Sequence, residues 1–322
     1  MSLELMAANL DLQGRADRVA HLDSDSLKKS ALRAARDIDV EGLWALLEAY
    51  LVTRGGRGAR VSVNTLEAYR IGLDTFLAWA GPAGISLLRP GPNAGFRYVR
   101  HLEGAGLAPS SVRVRLSAGK ALYAALRWTG ACEAAPFLDV RAASDPVPRW
   151  EKRKPYSTED VALLLRHAGV QDAVIVVLGA HVGLRATEMT TLLRKDLHLD
   201  APEPYLTVTG KRQRRQEVAL SPTAVKALRT WLAATPNYGP RVLTIHTRQS
   251  VENALKRLCQ EAGVRYGGRE VHGLRHSAGT RIYSESGDLL AVRDHLRHRT
   301  VDSSEIYVDY ARAGRKKPVG DW

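Results

Sequence analysis

The sequence predicts a mainly helical protein with one small antiparallel β element, an α+β fold divided into two domains. The chain has 322 residues, enough for roughly two domains of ordinary size. In its longer periodic segments, apolar residues recur every three or four positions, as they do in amphipathic helices. In one region apolar and polar residues alternate, as they do in paired β-strands. Hydrophobic residues make up 45% of the chain, which permits a packed core and argues against general disorder.

The charge of the chain favours a polyanionic partner. Lys and Arg total 47 against 34 Asp and Glu, a net charge of +13. Nucleic acid and an anionic membrane both suit this excess, and a basic composition without such a partner is the third interpretation. The most apolar segment, Ala173–Leu184, is interrupted by His181 and is too short to span a bilayer. The first residues do not resemble a signal peptide, and Cys132 and Cys259 lie far apart, so we expect a cytoplasmic protein without disulfides or membrane contact.

Residues 1–37 show little helical periodicity, and we treat them as an N-terminal extension that is a candidate for partial mobility. A helical domain is predicted to follow at residues 38–140. Its first strong helix begins near Asn64, a candidate N-cap, with Glu67 completing a capping box. The apolar face of this helix consists of Leu66, Tyr69, Leu73, Phe76 and Leu77.

A second strong helix of this domain is predicted from about Ser110 to Trp128. Its apolar stripe is formed by Val112, Leu116, Tyr123 and Leu126. On a different face, a basic stripe repeats every seven residues and consists of Arg113, Lys120 and Arg127. This stripe suits contacts along a phosphate backbone, and a solvated helix face explains it equally well.

A linker separates the two domains at residues 141–155. The segment VRAASDPVPRWEKRKPYS contains three prolines and five basic residues but no apolar period. The second domain, with a C-terminal tail, is predicted at residues 156–322, and Ser157 with Asp160 signals the start of its first helix.

A β-hairpin with a basic tip is predicted where YLTVTG and QEVAL flank KRQRR. Lys211 lies at the first corner of this hairpin. Arg212, Arg214 and Arg215 follow it as candidates for DNA contact, although a solvated turn would have the same composition.

Two further motifs carry arginine at predicted helices. GLRATEM places Arg185 just after a glycine at a helix start, with Glu188 one turn later. HGLRH sets His272 and Arg275 one helical turn apart, so that both can face one site. Taken alone, the first motif is explained by an ordinary Arg–Glu pair and the second by a buried histidine.

The last motif, LRHRTVDSSEIY, sets His298 nine residues before Tyr307. Asp302 and Glu305 form another candidate capping box, which places Tyr307 in the first turns of a short helix. A tyrosine of the hydrophobic core is the alternative interpretation at this position.

Together these residues suit the in-line displacement of a phosphodiester. Arg185 and Arg275 can each grip nonbridging oxygens with a planar fork. A tyrosine hydroxyl has a pKa near ~10, so a base and nearby positive charge must help it attack. The leaving alkoxide needs a proton, which Lys211 can supply. The reaction requires no cofactor, pair of acids or metal cluster.

The ordered set of Arg185 in GLRATE, Lys211 in TGK, HGLRH, and LRH followed by Tyr307 resembles the signature of the tyrosine recombinases, the phage integrase family. The resemblance covers residues 60–310, and the two-domain layout is especially similar to the Xer group. It implies a helical N-terminal DNA-binding domain that clamps DNA, followed by a catalytic domain. The implied partner is double-stranded DNA with a specific recombination site, bound by a tetramer on two synapsed sites that can include a second recombinase.

The resemblance also implies a role for each matching residue. Arg185 and Arg275 hold the scissile phosphate, and Lys211 protonates the leaving 5′-oxygen. His272 is an acid or base near the tyrosine, and His298 hydrogen-bonds a phosphate oxygen. Tyr307 forms a 3′-phosphotyrosine link, and strand exchange passes through a Holliday junction. Glu188 orients Arg185, and the tail after the tyrosine docks on a neighbouring protomer.

The chain departs from the usual pattern of the family at several positions. Arg297 replaces a glycine before His298, and Arg212 replaces a second glycine after Lys211. The hairpin ends in VAL rather than VPL, and Ser303 and Ser304 replace two threonines. These changes leave the catalytic set intact and depart from the pattern of a standard Xer subgroup.

Other functions fit parts of the same pattern. A metal hydrolase would use four histidines, but acidic ligands near them are sparse and no HExxH motif is present. A type IB topoisomerase shares the phosphotyrosine chemistry, and a non-catalytic DNA-binding protein could share the fold. The histidines in question are His272, His276, His295 and His298.

Overall fold

The computed structural model describes residues 3–209 and 215–313, which divide into two units at Pro146 and Val147. In the first unit, the helices are α1 Leu3–Ala20, α2 Ser24–Asp37, α3 Val40–Thr53, α4 Val63–Ala80, α5 Ala94–Gly104 and α6 Pro109–Trp128, with a 3₁₀ turn at Gly58–Arg60.

Helices α4 and α6 form the centre of the first unit. A Cβ on Gly72 would lie 2.4 Å from the Cβ of Ala118, so the glycine allows the two helices to approach closely. Phe76 packs edge-on against Tyr98 and Phe137, with ring centroids 5.0 and 5.5 Å away. This geometry favours aromatic pairs and gives the unit a compact aromatic core.

The start of α4 corrects one prediction. Ser62, not Asn64, is the N-cap, and its Oγ accepts a hydrogen bond from the backbone N–H of Thr65 at 3.3 Å. Both residue types cap helices well, so composition alone could not choose between them.

Two helices occupy the N-terminal segment in which the sequence showed little periodicity. The buried face of α2 consists of Leu27 and the alanines Ala31, Ala34 and Ala35. Alanine contributes little to an apolar pattern, yet it allows helices to pack closely. Arg15 of α1 forms a salt bridge with the buried Glu48 of α3 at 3.0 Å.

The second unit begins with α7 Arg149–Lys152 and α8 Thr158–His167. Ser157 and Asp160 form the predicted capping box at the start of α8. The later elements are α9 Val170–Ala180, α10 Ala186–Thr191, β1 Leu197–His198, β2 Tyr205–Thr209, β3 Arg215–Ala219, α11 Pro222–Ala234, α12 Arg248–Glu261, α13 Glu270–Ser286, α14 Leu289–Leu296 and α15 Ile306–Ala313, with 3₁₀ turns at Arg194–Asp196 and Val301–Ser303.

Helix α9 is the core helix of the second unit. Its residues from Val174 to Ala180 are all buried, and α8, α11, α12 and α13 pack around it. The most apolar segment of the sequence is therefore a core helix. Among the described helices, none combines the length and apolarity that a membrane crossing requires.

The small sheet is antiparallel, with strand order β1-β2-β3. Tyr205 pairs with Ala219 and Thr209 pairs with Arg215, which confirms the predicted hairpin. The two-residue strand β1 was not predicted, because so short a segment has no measurable alternation. Lys211, Arg212 and Arg214 lie outside the described residues.

The C-terminal elements bring the predicted site residues together. Helix α13 packs against α9, α14 and α15. A Cβ on Gly183, whose φ is 71°, would lie 2.4 Å from Leu296 Cδ2, so the loop before Arg185 closes tightly on the end of α14. Tyr307 is the second residue of α15, as predicted. Among the described residues Asp302 makes no side-chain hydrogen bond; it lies in the preceding 3₁₀ turn, whose N-cap position is occupied by Thr300.

Candidate active site

The second unit gathers Arg185, His272, Arg275, His298 and Tyr307 into one cluster. Arg185 caps the N-terminus of α10, and α13 contributes His272 and Arg275 from one face. His298 follows α14, and Tyr307 lies in the first turn of α15. The described cluster therefore contains every predicted catalytic residue except Lys211.

Glu188 holds Arg185 in place. Its Oε1 accepts a hydrogen bond from Arg185 Nη1 at 2.6 Å, and its Oε2 accepts one from the backbone N–H of Arg185 at 2.9 Å. Burial raises the pKa of Glu188, but the net effect of its surroundings is to lower this pKa. The opposing causes are the charge of Arg297, the hydrogen bond from the Arg185 N–H, and the charges of Arg185 and Arg275. An ionised carboxylate thus fixes Arg185, whose side chain remains 44% exposed and available to a ligand.

Arg275 is the most deeply buried cation of the cluster. Its side chain is 1% exposed, and its guanidinium donates to the carbonyl oxygens of Gly183 and Leu296. Burial, followed by the charges of Arg185 and Arg297, lowers the pKa of Arg275 to about 9. The group therefore stays cationic at neutral pH in a site of low dielectric, where it interacts strongly with an anion.

Both predicted histidines are held neutral. Burial, followed by nearby arginine charges, lowers the pKa of His272 to about 4 and that of His298 to about 4. The Nδ1 of His298 lies 2.8 Å from the Oγ of Ser304, which is fully buried. This hydrogen bond fixes the orientation of the ring and leaves Nε2 for another partner.

Tyr307 is 1% exposed and packs inside the cluster. Its ring lies nearly parallel to that of His298, with centroids 6.1 Å apart. A Cβ on Gly279 would lie 2.4 Å from the Tyr307 ring, so α13 can accept the tyrosine only because it has a glycine there. Burial raises the pKa of Tyr307 well above its usual value, and Arg275 offsets part of this effect.

Tyr310 is the other tyrosine in reach. Its ring centroid lies 6.0 Å from that of Tyr307, and its hydroxyl donates to the backbone carbonyl of Arg153. Burial raises the pKa of Tyr310 to about 12. Because its hydroxyl is already engaged with the backbone, Tyr310 is structurally a packing residue of α15.

The predicted DNA-binding residues have different surroundings. In α6, Lys120 Nζ donates to the Val140 carbonyl at 3.0 Å, and Arg127 Nη1 donates to the Ala134 carbonyl at 2.8 Å. Among the described residues, Arg113 donates to one carbonyl of its own helix, Pro109 O, at 3.4 Å. Arg215 forms an exposed ion pair with Asp196 at 3.3 Å.

Sequence reasoning missed roles for three residues of the cluster. Arg297 and Ser304 were recognised only as departures from a pattern, although each contacts a predicted site residue. His276 lies between His272 and Tyr307, with ring centroids 4.5 and 5.8 Å away. Among residues 3–209 and 215–313, no group of three or more His, Cys, Asp or Glu side chains is arranged to hold a metal ion.

Comparison with known proteins gives consistent matches for both units. Residues 157–313 match the Phage integrase family, and residues 57–130 match the family described as Phage integrase, N-terminal SAM-like domain. Tyrosine recombinase XerC of Xanthomonas campestris pv. campestris (strain B100) is 30% identical over 261 residues, which cover 77% of this chain and 79% of that protein. The XerC of Pseudomonas aeruginosa strain PAO1 is 31% identical over 264 residues, covering 77% and 84%.

Two solved structures share the fold. The XerH site-specific recombinase bound to a palindromic difH substrate, in a post-cleavage complex, superposes with a TM-score of 0.66 at 17% identity and covers 85% of this chain and 82% of that one. A lambda integrase dimer bound to a COC′ core site superposes with a TM-score of 0.64 at 15% identity, covering 86% and 79%. At this identity, the similarity concerns architecture.

Proposed function

The chain belongs to the phage integrase family of tyrosine recombinases, and we propose that it is a site-specific DNA recombinase in which Tyr307 is the nucleophile. The observation that carries this assignment is the burial of one tyrosine among two arginines and two neutral histidines. The arginines, Arg185 and Arg275, suit a phosphodiester anion, and the histidines, His272 and His298, suit proton transfer and hydrogen bonding to it.

Cleavage begins when the Tyr307 oxygen attacks the scissile phosphorus. A bond forms between that oxygen and phosphorus, and the bond from phosphorus to the 5′-oxygen breaks. The tyrosine proton passes to a base, for which neutral His272 is the candidate, and the 5′-oxygen takes a proton as it leaves. The product is a 3′-phosphotyrosine link and a free 5′-hydroxyl.

The arginines act on the charge that builds during this step. Negative charge increases on the nonbridging oxygens in the transition state, and two preorganised guanidinium groups stabilise it more than the ground state. His298, oriented by Ser304, donates or accepts a further hydrogen bond at the phosphate. Lys211, which lies outside the described residues, is the proposed donor of the leaving-group proton.

Rejoining reverses these steps. A 5′-hydroxyl from another strand attacks the phosphotyrosine and releases Tyr307, so the energy of the phosphodiester is conserved and no nucleotide cofactor is consumed. Two successive exchanges, separated by a Holliday junction, recombine two duplexes. This requires four active sites, so we propose a tetramer on two synapsed DNA sites, which can include a second recombinase.

The burial of Tyr307 adds one requirement. Tyr307 and Arg275 are each 1% exposed, so neither can contact a duplex in this arrangement, and we propose that α15 shifts and uncovers both before attack. The Tyr307 ring packs closely against Gly279 of α13, and its hydroxyl makes no hydrogen bond among the described residues. We propose that DNA binding stabilises the shifted arrangement, because Arg275 and Arg185 then gain a phosphate as their partner.

The experiment that tests the function uses a duplex selected from a random-sequence library by the purified chain. Incubation in EDTA should give a covalent adduct that denaturant does not disrupt and that Tyr307→Phe abolishes, and two such duplexes should exchange strands. Relaxation of plasmid DNA without any selected site would instead favour a type IB topoisomerase. Binding without an adduct would favour a non-catalytic DNA-binding protein.

A further inference from the structure

Arg297 adopts a backbone conformation that suits glycine. It caps the C-terminus of α14 with φ 57° and ψ 43°, in the left-handed region. Glycine reaches this region without strain, whereas residues with a Cβ are uncommon there. The backbone hydrogen bonds of the cap, to the carbonyls of Arg293 and Asp294, would form equally well with glycine. The reason for arginine must therefore lie in its side chain.

The side chain of Arg297 is buried and joins three acceptors. Only 3% of it is exposed. Its Nη1 donates to the His295 carbonyl at 2.9 Å, and its Nη2 donates to the Gly183 carbonyl at 3.1 Å and to Glu188 Oε2 at 3.0 Å. Buried arginine is rare unless it is paired, and here the planar fork is used to hold several groups in one arrangement.

Two of these acceptors also hold the proposed phosphate-binding arginines. The Gly183 carbonyl accepts a hydrogen bond from Arg275, and Glu188 Oε1 accepts one from Arg185 at 2.6 Å. Arg275 Nη1 lies 4.0 Å from Glu188 Oε2, beyond hydrogen-bond distance. Arg297 thus occupies the carboxylate oxygen that lies 4.0 Å from Arg275 Nη1.

We propose that Arg297 is a positioning residue for strand cleavage: by holding Glu188 Oε2 and the Gly183 carbonyl, it keeps Arg185 and Arg275 directed at the scissile phosphate. The inference rests on the proposed function and assigns Arg297 no contact with DNA. Without this side chain, Glu188 would compete with the phosphate for Arg275.

The charge of the cluster agrees with this role. Glu188 faces three guanidinium groups among the described residues, so the carboxylate neutralises one charge and leaves two for the phosphate. A glycine at 297 would leave Glu188 to neutralise one of the two arginines that must act on the phosphate. Burial is the largest influence on the pKa of Arg297 and lowers it, while Glu188 raises it in part.

The test compares Arg297→Gly, Arg297→Gln and Arg297→Lys with the wild type, using a nicked form of the selected duplex that traps the covalent adduct. Arg293→Gln is the matched control, because Arg293 lies on the same helix and pairs with Asp294 rather than Glu188. Three quantities are measured for each: DNA affinity, the single-turnover rate of adduct formation, and the thermal midpoint.

We expect Arg297→Gly and Arg297→Gln to form the adduct about tenfold or more slowly, with little change in DNA affinity. Arg297→Lys should recover part of the rate, because it keeps the charge but loses the planar fork. Arg293→Gln should match the wild type. In a Glu188→Gln background, Arg297→Gln should have little further effect, because the two residues act through one contact.

Three results would overturn the proposal. One is a wild-type cleavage rate in Arg297→Gly; another is a rate loss that merely follows thermal stability or DNA affinity across the variants. The third is full additivity of Glu188→Gln and Arg297→Gln. Absence of any adduct with the wild type would contradict the proposed function itself, and this inference with it, so the two failures can be told apart.

Discussion

Tyr307 and Tyr310 lie one helical turn apart, and their surroundings distinguish them as nucleophile candidates. Tyr307 packs beside His298, whereas the hydroxyl of Tyr310 donates to the Arg153 backbone. We expect Tyr307→Phe to bind DNA with wild-type affinity and to form no covalent adduct, because only the attacking oxygen is removed. Denaturing electrophoresis of the protein–DNA adduct measures this.

Tyr310→Phe is the matched control, since it removes the same atom from the neighbouring turn. It should still form the adduct and should lose at most roughly 0.5–1.5 kcal/mol of stability, the worth of one hydrogen bond. An adduct that persists in Tyr307→Phe and disappears in Tyr310→Phe would reverse the assignment.

The buried histidines should make the folded chain sensitive to acid. Burial is the first cause that lowers their pKa values below the ordinary value of 6.5, to about 4 for His272, His295 and His298 and to about 3 for His276. Between pH 6.5 and about pH 3, the lowest of these values, the unfolded chain therefore binds more protons than the folded chain. Stability is fully present above pH 6.5 and falls as the pH drops through this window, by roughly 1.4 kcal/mol per unit of lowering for one group.

Urea unfolding at a series of pH values checks this prediction. His276→Gln should flatten the dependence of the unfolding free energy on pH, because His276 is 7% exposed and its Nδ1 has no described partner. His167→Gln, at an exposed position, is the control. Equal slopes for wild type and His276→Gln would remove His276 as a cause.

How far single residues can be predicted depends on whether a motif carries them. Arg185, Arg275 and Tyr307 could be named from short motifs in a fixed order, because the proposed reaction calls for those side chains. Arg297 and Ser304 could not be given roles, since their contacts with Glu188 and His298 depend on how α14 ends and how the following turn folds back. Pattern departures locate such residues, but only three-dimensional structure gives them partners.

The β2–β3 hairpin is the element on which the general acid is proposed to lie. If Lys211 protonates the leaving 5′-oxygen, Lys211→Ala should slow cleavage of ordinary DNA by roughly a hundredfold or more. When sulfur replaces the 5′-bridging oxygen, the leaving group departs as a thiolate. Because thiol pKa values lie near ~8.5, this leaving group does not need to be protonated. The sulfur-containing DNA should therefore restore most of the cleavage rate of Lys211→Ala, as measured in single-turnover reactions.

Neighbouring arginines provide the control for this experiment. Arg215 is an exposed residue of β3, and arginine does not readily give up a proton. The sulfur substrate should not restore the cleavage rate of Arg215→Ala, Arg185→Ala or Arg275→Ala. These arginines are proposed to contact negatively charged phosphate oxygens rather than to protonate the leaving group. If sulfur rescues the arginine variants equally, or rescues none, Lys211 is only one more charge on a basic hairpin and His272 becomes the first candidate for the acid.

Helix α6 carries the basic stripe, and the three residues of the stripe differ in their hydrogen-bond partners. Arg113→Ala should reduce the slope of log affinity against log salt by about 0.9 if Arg113 makes one phosphate contact. Lys120→Ala and Arg127→Ala each remove a hydrogen bond to the segment 134–140, so they should also lower stability by about 1 kcal/mol. Salt titrations and urea unfolding measure the two effects separately, and an unchanged salt slope in the triple alanine variant would exclude the stripe from DNA binding.

Elements were predictable where apolar residues are large and regularly spaced. Helix α6 and the hairpin β2–β3 were located within a few residues for this reason. Helix α2 was missed because alanines form most of its buried face, and β1 was missed because it has two residues. The start of α15 lacks the predicted side-chain cap because Asp302 is drawn into a 3₁₀ turn, a competition between two local hydrogen-bond patterns that sequence alone does not resolve.

For the whole molecule, the net charge of +13 is divided unevenly: residues 1–146 carry +3 and residues 147–322 carry +10, so we expect the second unit to supply most of the electrostatic DNA affinity. The cluster of proposed catalytic residues lies within the second unit, so we expect DNA contacts of the first unit to leave the chemistry proposed for Tyr307 unchanged. Variants in α6 should therefore alter binding and leave the cleavage rate of bound DNA unchanged, whereas variants of the cluster should do the reverse.

The C-terminal tail is proposed to act in assembly of the complex on two DNA sites rather than in binding or cleavage of one site. Residues 314–322 lie outside the described part of the chain, and resemblance to the Xer group implies that this segment docks on a neighbouring protomer. Deleting Ala313–Trp322 should therefore reduce synapsis of two DNA sites about tenfold more than it reduces binding to one site, because linked contacts between protomers multiply in the assembled complex. Electrophoretic mobility shifts of single-site and synaptic complexes measure both quantities.

The deletion also removes positive charge, which weakens DNA binding without any docking. A variant that keeps the length of the tail but neutralises its basic residues, Arg315→Gln, Lys316→Gln and Lys317→Gln, separates the two causes. If the tail acts by docking, this variant should lose single-site affinity in a salt-dependent manner and retain most of its synapsis at matched occupancy. If instead the neutralised and deleted chains lose both activities equally, the tail contributes charge alone, and the contacts between protomers must come from elsewhere in the chain.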